Sequence, residues 1–275
     1  MTARSPLATA LQSAVLLLFF GMIVFPIAWM MLTAFKLPRD VYQLGLGFSP
    51  TVQNFGIVFE APWNIGLRIV NSMVVAFFTL SIAIPAAILS AYSFSRFEFT
   101  FKRGLFFLML ATQFIPAVVI ILPFYLMFRD LGLLDTRTGL VIVNLAIVTP
   151  FAVWMLKGYF DAVPIECDEA ALIDGASRLA IITRVIVPMA LPGVIVASVF
   201  CFILTWNEFI FALILTQNVA AQTLPIVISG FVMDFTTSFS FINAAGVIAI
   251  VPPVVLAMLF ERYIVSGLTA GAVKG

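Results

Sequence analysis

Acidic side chains are concentrated in one short stretch of this 275-residue chain. They are Asp161, Glu166, Asp168, Glu169 and Asp174. Carboxylate oxygens are ligands that divalent cations prefer, so metal-dependent catalysis is one chemistry open to this stretch. The chain has no histidine, which removes the commonest metal ligand and the usual general base. The helix-like spacing, with interleaved alanines, fits a docking element better, and we assign no catalytic residue and no metal ligand.

Glu208 lies in apolar sequence, where an acidic side chain costs roughly 2.5–3.5 kcal/mol to insert at the centre of a membrane helix. We therefore expect it to face a protein interior or a water-filled cavity. Other polar residues in apolar segments could hydrogen-bond a polar ligand or tie two helices together. The candidate substrate pathway comprises Asn71, Gln113, Asn144, Trp206, Asn207 and Glu208. For Glu208, a buried structural carboxylate is the alternative.

The elements that must position these residues are membrane-spanning helices. The chain is 63% hydrophobic and 10% charged, whereas a soluble protein carries about 25% charged residues. A helix needs roughly 20 apolar residues to cross a bilayer, and it satisfies its own backbone hydrogen bonds there. We predict an all-α membrane protein, a single transmembrane domain over residues 1–275 with a core at about 69–265. Its six predicted spans are Leu11–Ala34, Ile69–Tyr92, Gly104–Phe128, Gly139–Tyr159, Leu191–Thr216 and Ala244–Val265.

The distribution of Lys and Arg predicts the orientation. With the N-terminus inside, the inner segments hold nine of these residues and the outer loops hold five. Positive charge accumulates on the cytoplasmic side of membrane proteins, so both termini are expected in the cytoplasm. The formal net charge is +1, which indicates no field for binding nucleic acid.

The inner loop between the fourth and fifth spans carries helical signals of its own. Pro164 suits a first helical turn, where its missing N–H costs nothing. The acidic residues that follow it favour a helix N-terminus. Gly175 can end that helix, and Ser177 can cap a second one. The helix either lies on the membrane surface or docks against a cytoplasmic partner.

This loop resembles the EAA motif of importer-type ABC-transporter permeases. The motif reads Glu-Ala-Ala, three residues, Gly, nine residues, Ile, any residue, Leu-Pro. The chain has Glu169-Ala170-Ala171, then Gly175, then Val185-Ile186-Val187-Pro188, with the same spacing throughout. Val185 and Val187 replace the Ile and the Leu and keep those positions apolar.

Three further segments resemble the carbohydrate branch, the maltose-type permeases. They are Asn71-Ser72, Thr205-Trp206-Asn207-Glu208-Phe209 and the C-terminal run Gly267–Gly275. The resemblance therefore extends over nearly the whole chain, in the expected order.

The resemblance implies a role for each part of these motifs. The inner loop would be a coupling helix that contacts a separate ATPase through Glu169, Ala170, Ala171, Asp174, Gly175 and Pro188. The C-terminal tail would also reach the ATPase, through Gly271, Val273, Lys274 and Gly275. ATP and Mg²⁺ would be bound by that partner and no cofactor by this chain.

The implied assembly has several further members in the cytoplasmic membrane of a prokaryote. They are a second permease subunit that forms a heterodimer with this chain, two copies of the ATPase and an extracytoplasmic solute-binding protein. Consistent with a separate ATPase, the chain contains no Gly-x-x-x-x-Gly-Lys-Ser/Thr phosphate loop.

The function predicted is a non-catalytic permease subunit of an ATP-driven sugar importer, for a di- or oligosaccharide or a polyol. The lack of Lys or Arg deep within a span favours a neutral solute. The alternatives are an ABC permease for another solute such as glycerol phosphate, an ion-coupled transporter with Glu208 as proton carrier, and a membrane-embedded enzyme. One intramembrane carboxylate and no visible inverted repeat disfavour the ion-coupled transporter.

Overall fold

The structure is a computed structural model that describes residues 6–43, 45, 47–233 and 238–270. These residues form helices and connecting turns. The helices are α1 (Pro6–Ala34), α2 (Gln53–Phe59), α3 (Ile65–Arg96), α4 (Lys102–Ala111), α5 (Ala117–Asp130), α6 (Arg137–Asp161), α7 (Glu166–Ile173), α8 (Arg178–Ile181), α9 (Val187–Met189), α10 (Leu191–Trp206), α11 (Ile210–Leu215), α12 (Leu224–Met233) and α13 (Phe239–Ala270). A π-helical turn, Ile182–Ile186, joins α8 to α9.

Four helices of the described part are long and apolar enough to cross a membrane by themselves. These segments are Leu11–Ala34, Ile65–Arg96, Arg137–Asp161 and Phe239–Tyr263. Two bent helix pairs raise the number of candidate spans to as many as six. The all-helical prediction is therefore confirmed, with four to six candidate spans.

The third predicted span, Gly104–Phe128, is not one straight helix. The segments Lys102–Phe114 and Ala117–Asp130 meet at a bend of 94°. Proline disfavours the α conformation of the residue before it. Ile115, which precedes Pro116, is extended, with φ −76° and ψ 117°. The helix therefore stops here and restarts beyond the proline.

The fifth predicted span, Leu191–Thr216, is not one helix either. The segment Arg178–Met189 meets α10 at 84°, and α10 ends at Trp206, before α11 begins at Ile210. Phe209, just before α11, has non-helical backbone angles of φ −124° and ψ −42°. The apolar run is continuous in composition but not in conformation.

The sequence interpretation missed α12, which lies between the fifth and sixth predicted spans. Its ten residues are Leu-Pro-Ile-Val-Ile-Ser-Gly-Phe-Val-Met. Ten residues, even when most are apolar, are too few for a transmembrane helix. A search for apolar runs of about 20 residues therefore does not find this helix.

The chain forms two compact units. The first comprises the described parts of Met1–Ile65 and Ile228–Ile250. In it, the ammonium group of buried Lys36 donates to the carbonyl of Gln43 at 2.7 Å. The Asn54 amide donates to the carbonyls of Ala34 and Lys36 at 2.7 and 2.8 Å. These bonds hold the segment that follows α1.

The second unit comprises Gly66–Val227 and the described part of Val251–Gly275. One of its apolar clusters joins α3, α6 and the π-helical turn, through residues such as Ala87, Leu156 and Ile186. Another joins α5, α6 and α11, through Phe128, Leu140 and Phe211. The predicted core permease region, about 69–265, remains a prediction.

Candidate functional site

The inner-loop helix α7 ends as its sequence predicts. Gly175 has φ +80°, a conformation that glycine adopts without steric cost. The N–H of Gly175 donates to the carbonyl of Leu172 at 3.0 Å, and that of Ala176 donates to Ala171 at 2.9 Å. This hydrogen-bond pair is the Schellman motif. The Ser177 hydroxyl accepts from the N–H of Ala180 and caps α8.

Most of the predicted coupling residues lie on an open surface. Glu169, Ala170, Asp174, Gly175 and Pro188 are exposed, and Ala171 is half-buried. Ile173, beside them, is 87% exposed. The surface therefore combines carboxylates with apolar side chains, a composition suited to a protein partner.

A buried ion pair holds the same loop against helix α3. The Arg96 Nε lies 3.1 Å from a carboxylate oxygen of Asp168, and the two side chains are only 8% and 4% exposed. The Tyr92 hydroxyl donates to the other oxygen at 2.8 Å. Arg96 also donates to the carbonyl of Val163 at 2.8 Å. Both donor side chains belong to α3, so these bonds tie the loop to a helix distant in sequence.

The remaining acids of the loop do not form one cluster. Asp161 accepts from Lys157 at 2.6 Å and from Ser95 at 2.8 Å. Arg178 stacks over the Phe97 ring at 5.4 Å, and no ion pair of the described residues joins it to Asp174. Within the described residues, no group of three or more His, Cys, Asp or Glu residues could hold a metal ion.

The predicted tail contacts, Gly271, Val273, Lys274 and Gly275, lie outside the described residues.

At the opposite end of α3, Asn71 and Ser72 hold the loop before α12. The buried Asn71 amide donates to the carbonyls of Ala220 and Gln222 at 3.0 and 2.8 Å. The Ser72 hydroxyl accepts from the N–H of Leu224 at 2.9 Å and so caps the first turn of α12. The Asn71 amide therefore orders the backbone of this loop, and its predicted place in the substrate pathway stays a prediction.

Asp135 holds the other side of the same loop, and sequence reasoning missed it. Its carboxylate accepts from the N–H groups of Gln217 and Asn218. Its own N–H donates to the carbonyl of Leu215 at 2.9 Å. Asp135 has φ +56°, which Asp and Asn tolerate better than most residues. A local signal existed, because Asp135 follows closely on Gly132 in a turn-forming stretch.

Glu208 closes the break between α10 and α11. Its two carboxylate oxygens accept from the N–H groups of Phe211 and Ala212 at 2.7 and 3.0 Å. Helix N-terminal N–H groups lack partners within the helix, so a carboxylate stabilises them. Asn207 is exposed and donates to the carbonyl of Ile203 in the preceding helix, α10. Trp206 is buried and stacks on Phe202.

The other two predicted pathway residues lie elsewhere. Exposed Gln113 donates to the carbonyl of Ile147 at 3.2 Å, next to the bend before α5. Asn144 is buried and donates to Leu140 in its own helix at 2.8 Å. No hydrogen bond in the described part links Asn71, Gln113, Asn144 and Glu208 to one another. The structure therefore does not join the four by hydrogen bonds into a single polar site.

One large cleft in the second unit is apolar. It has a volume of about 610 Å³ and lies between α3, α10 and α13. Phe77, Phe202 and Phe260 line it, and its polar side chains are those of Ser81 and Ser198. None of the predicted pathway residues lines it.

Comparison with known proteins places these features in a family context. The family model described as "Binding-protein-dependent transport system inner membrane component" matches residues 83–270. The chain is 31% identical to the sulfoquinovosyl glycerol transport system permease protein SmoH of Agrobacterium fabrum, over 92% of this chain and 89% of that protein. It is 33% identical to the trehalose/maltose transport system permease protein MalG of Thermococcus litoralis, over 92% of each.

The fold is also similar to a solved structure. That structure is a bacterial ABC transporter involved in the import of the acidic polysaccharide alginate. The TM-score is 0.80 at 23% sequence identity, and the match covers 96% of this chain and 99% of that one. At this identity the match is evidence of a shared fold.

Proposed function

Because the chain belongs to the family of binding-protein-dependent transport system inner membrane components, we propose that it is the permease subunit of an ATP-driven sugar importer. The single observation that carries the proposal is the open surface around Glu169 and Gly175, held on a helix outside the predicted spans. Such a surface suits docking of a separate subunit, and family members are transport components.

The substrate class comes from the relatives. SmoH is named for sulfoquinovosyl glycerol, MalG for trehalose and maltose, and the solved transporter for alginate. These solutes share the hydroxyl-rich chemistry of carbohydrates. Trehalose and maltose are neutral, whereas sulfoquinovosyl glycerol and alginate are acidic, so this set supports neither a neutral nor an acidic solute over the other. We propose a sugar or sugar conjugate.

The assembly we propose contains this chain and a second permease, two ATPase subunits that bind ATP and Mg²⁺, and an extracytoplasmic solute-binding protein. The chain would cross the cytoplasmic membrane six times, with each bent helix pair counted as one span. Both termini would lie in the cytoplasm, as the Lys and Arg bias favours. The tail at Gly271–Gly275 would add a second contact with the ATPase.

In this arrangement α7 is the coupling helix. Glu169 would pair with a basic residue of the ATPase, and the exposed Ile173 would enter an apolar cleft. The Schellman turn at Gly175 fixes where the helix stops, so the surface is presented in a defined shape. For Glu208, the hydrogen bonds to α11 support the structural alternative over direct solute contact.

Reconstitution separates this proposal from an ion-coupled transporter. The tagged chain is purified from its host membranes, with and without its bound subunits, and placed in liposomes. We expect uptake of a labelled sugar bound by the companion binding protein only with the full set of subunits and Mg-ATP. Uptake by the chain alone that follows a proton or sodium gradient would contradict the proposal.

A further inference from the structure

Helix α3 is fastened at both ends to loops that are distant in sequence. At one end, Tyr92 and Arg96 hold Asp168 of the inner loop. At the other, Asn71 and Ser72 hold the segment from Ala220 to Leu224. We infer that α3 transmits movement between these two loops, with the Arg96–Asp168 pair as its inner joint. The inference rests on the proposed function, in which the inner loop is moved by an ATPase.

The inner joint consists of buried groups that would be costly to separate. Arg96 and Asp168 are almost fully buried, and a charge left there without its partner would carry a large desolvation penalty. The Arg96 guanidinium donates to the Asp168 carboxylate, to the carbonyl of Val163 and to the hydroxyl of Ser95. Tyr92 is 1% exposed and occupies the other carboxylate oxygen. The loop therefore cannot leave α3 without exposing or stranding these groups.

The contact between Arg96 and Asp168 is needed because α3 is not adjacent to the inner loop in sequence. Helices α6 and α10 lead into and out of the loop region, so its displacement reaches them through the backbone. Three helices, α4, α5 and α6, lie between α3 and the loop in the chain. In the part of the chain that the structure describes, side-chain bonds and packing connect α3 to the loop. Among them are the Arg96–Asp168 ion pair and the hydrogen bond from Tyr92 to Asp168.

The outer joint lies far away on the same helix. Asn71 and Arg96 are 25 residues apart, which at 1.5 Å per residue is about 37 Å. Ala83, Ala87 and Ala91 between them are completely buried, so α3 packs closely against its neighbours along this length. Asn71 and Ser72 contribute two amide–carbonyl bonds and one helix cap to the outer loop. Displacement of α3 would therefore shift the backbone around Gln222 directly.

The test measures the outer loop while the inner loop is driven. Val219, which is 38% exposed in that loop, is replaced by cysteine after Cys167→Ser and Cys201→Ala remove both native thiols. The complete transporter is purified through a tag on this chain. Maleimide labelling of V219C is timed without nucleotide and with Mg-ATP and vanadate.

We expect Mg-ATP and vanadate to change the labelling rate roughly fivefold or more in this background, the lower range of typical coupling between sites. Asp168→Asn should abolish most of that change while the ATPase subunit still co-purifies. Asn71→Ala should do the same from the outer end. The double variant R96D/D168R restores the pair with reversed charges and should recover part of the response.

Glu98→Gln is the matched control. The Lys102 ammonium lies 2.8 Å from the Glu98 carboxylate, whose side chain is 89% exposed, and it lowers the pKa of Glu98. This pair does not join α3 to the inner loop, so its loss should leave the response intact.

A full response in both D168N and N71A would overturn the inference. Loss of the ATPase subunit from D168N would also overturn it, because the pair would then serve docking. An unchanged V219C labelling rate in a parent transporter that hydrolyses ATP would overturn it as well. If the parent carries no ATPase, the proposed function itself fails.

Discussion

The carboxylate of Asp135 accepts a hydrogen bond from the backbone N–H of Asn218 at 2.7 Å. The two residues are 83 positions apart in the chain. Asn71 and Ser72 bind the other side of the same loop, so the segment from Asn218 to Leu224 is held from two sides. The loop that precedes α12 is therefore an ordered part of the second unit.

Asp135→Ala should loosen this loop. The change leaves two N–H groups without their acceptor and places an alanine at φ +56°. A lost hydrogen bond costs about 0.5–1.5 kcal/mol, and the left-handed conformation costs about 1–2 kcal/mol. Hydrogen exchange at Gln217 and Asn218 should accelerate, as measured by mass spectrometry. Asp135→Asn, which keeps one acceptor and tolerates this backbone, should accelerate it less.

Asp130→Ala is the control for that experiment. Asp130 is 66% exposed in its side chain and pairs with its neighbour Arg129. It should leave exchange at residues 217 and 218 unchanged. Equal protection in the D135A and parent proteins would show that the carboxylate does not order the loop.

Glu208→Gln and Glu208→Ala distinguish a helix cap from a charge in the solute path. Gln keeps one oxygen that can accept from Phe211 or Ala212, whereas Ala removes both acceptors. Loss of a cap costs about 1 kcal/mol. We expect E208A to lower the melting temperature in detergent and to reduce uptake, and E208Q to keep most of both. Uptake lost equally in the two variants, with unchanged melting of E208Q, would assign the charge to transport.

Gly193→Ala should destabilise the second unit. A Cβ at Gly193 would overlap the ring of Tyr159, which packs on the apolar cluster of α3 and α6. Overpacking of this kind costs roughly 1–3 kcal/mol. Gly158→Ala, where no atom lies within 4 Å of the added Cβ, is the matched control. Thermal unfolding in detergent should separate the two, and equal melting temperatures would refute the close approach of α10 to α6.

Gly175→Val should damage coupling through backbone strain. Nothing lies within 4 Å of a Cβ at this position, so space for a side chain is available. The φ of +80° is the obstacle, and a left-handed conformation costs roughly 1–2 kcal/mol for a residue with a Cβ. Stimulated ATP hydrolysis should fall more in G175V than in Gly175→Asn, since Asn tolerates this conformation better. A reversed order would mean that side-chain size at the docking surface decides the effect.

Local features of the fold were predictable from sequence. The end of α7 at Gly175 and the cap at Ser177 depend on residues within one turn of the chain, and their signals are strong. The spans around α3 and α6 were predicted within a few residues, because an uncharged apolar run of about 20 residues is typical of a membrane-spanning helix.

Other features depend on geometry that a pattern does not carry. The prolines did not predict where a helix breaks, because membrane helices tolerate proline within spans. Only the structure shows that the chain bends before Pro116. The partners of Asp168 and Asn71 lie 72 or more residues away, so composition and spacing cannot identify them. Glu208 was noticed for its cost in the membrane, but its role depends on the break between α10 and α11.

The most direct test of coupling through the inner loop is Glu169→Lys in the reconstituted transporter, with sugar uptake and ATP hydrolysis measured together. Reversed charge facing a basic partner is expected to cost several kcal/mol, so uptake should fall by at least about tenfold. Basal hydrolysis should persist, and Glu261→Lys, the same change at an exposed position outside the loop, should transport normally. Full uptake with the E169K subunit would contradict the claim that this loop couples ATP hydrolysis to transport.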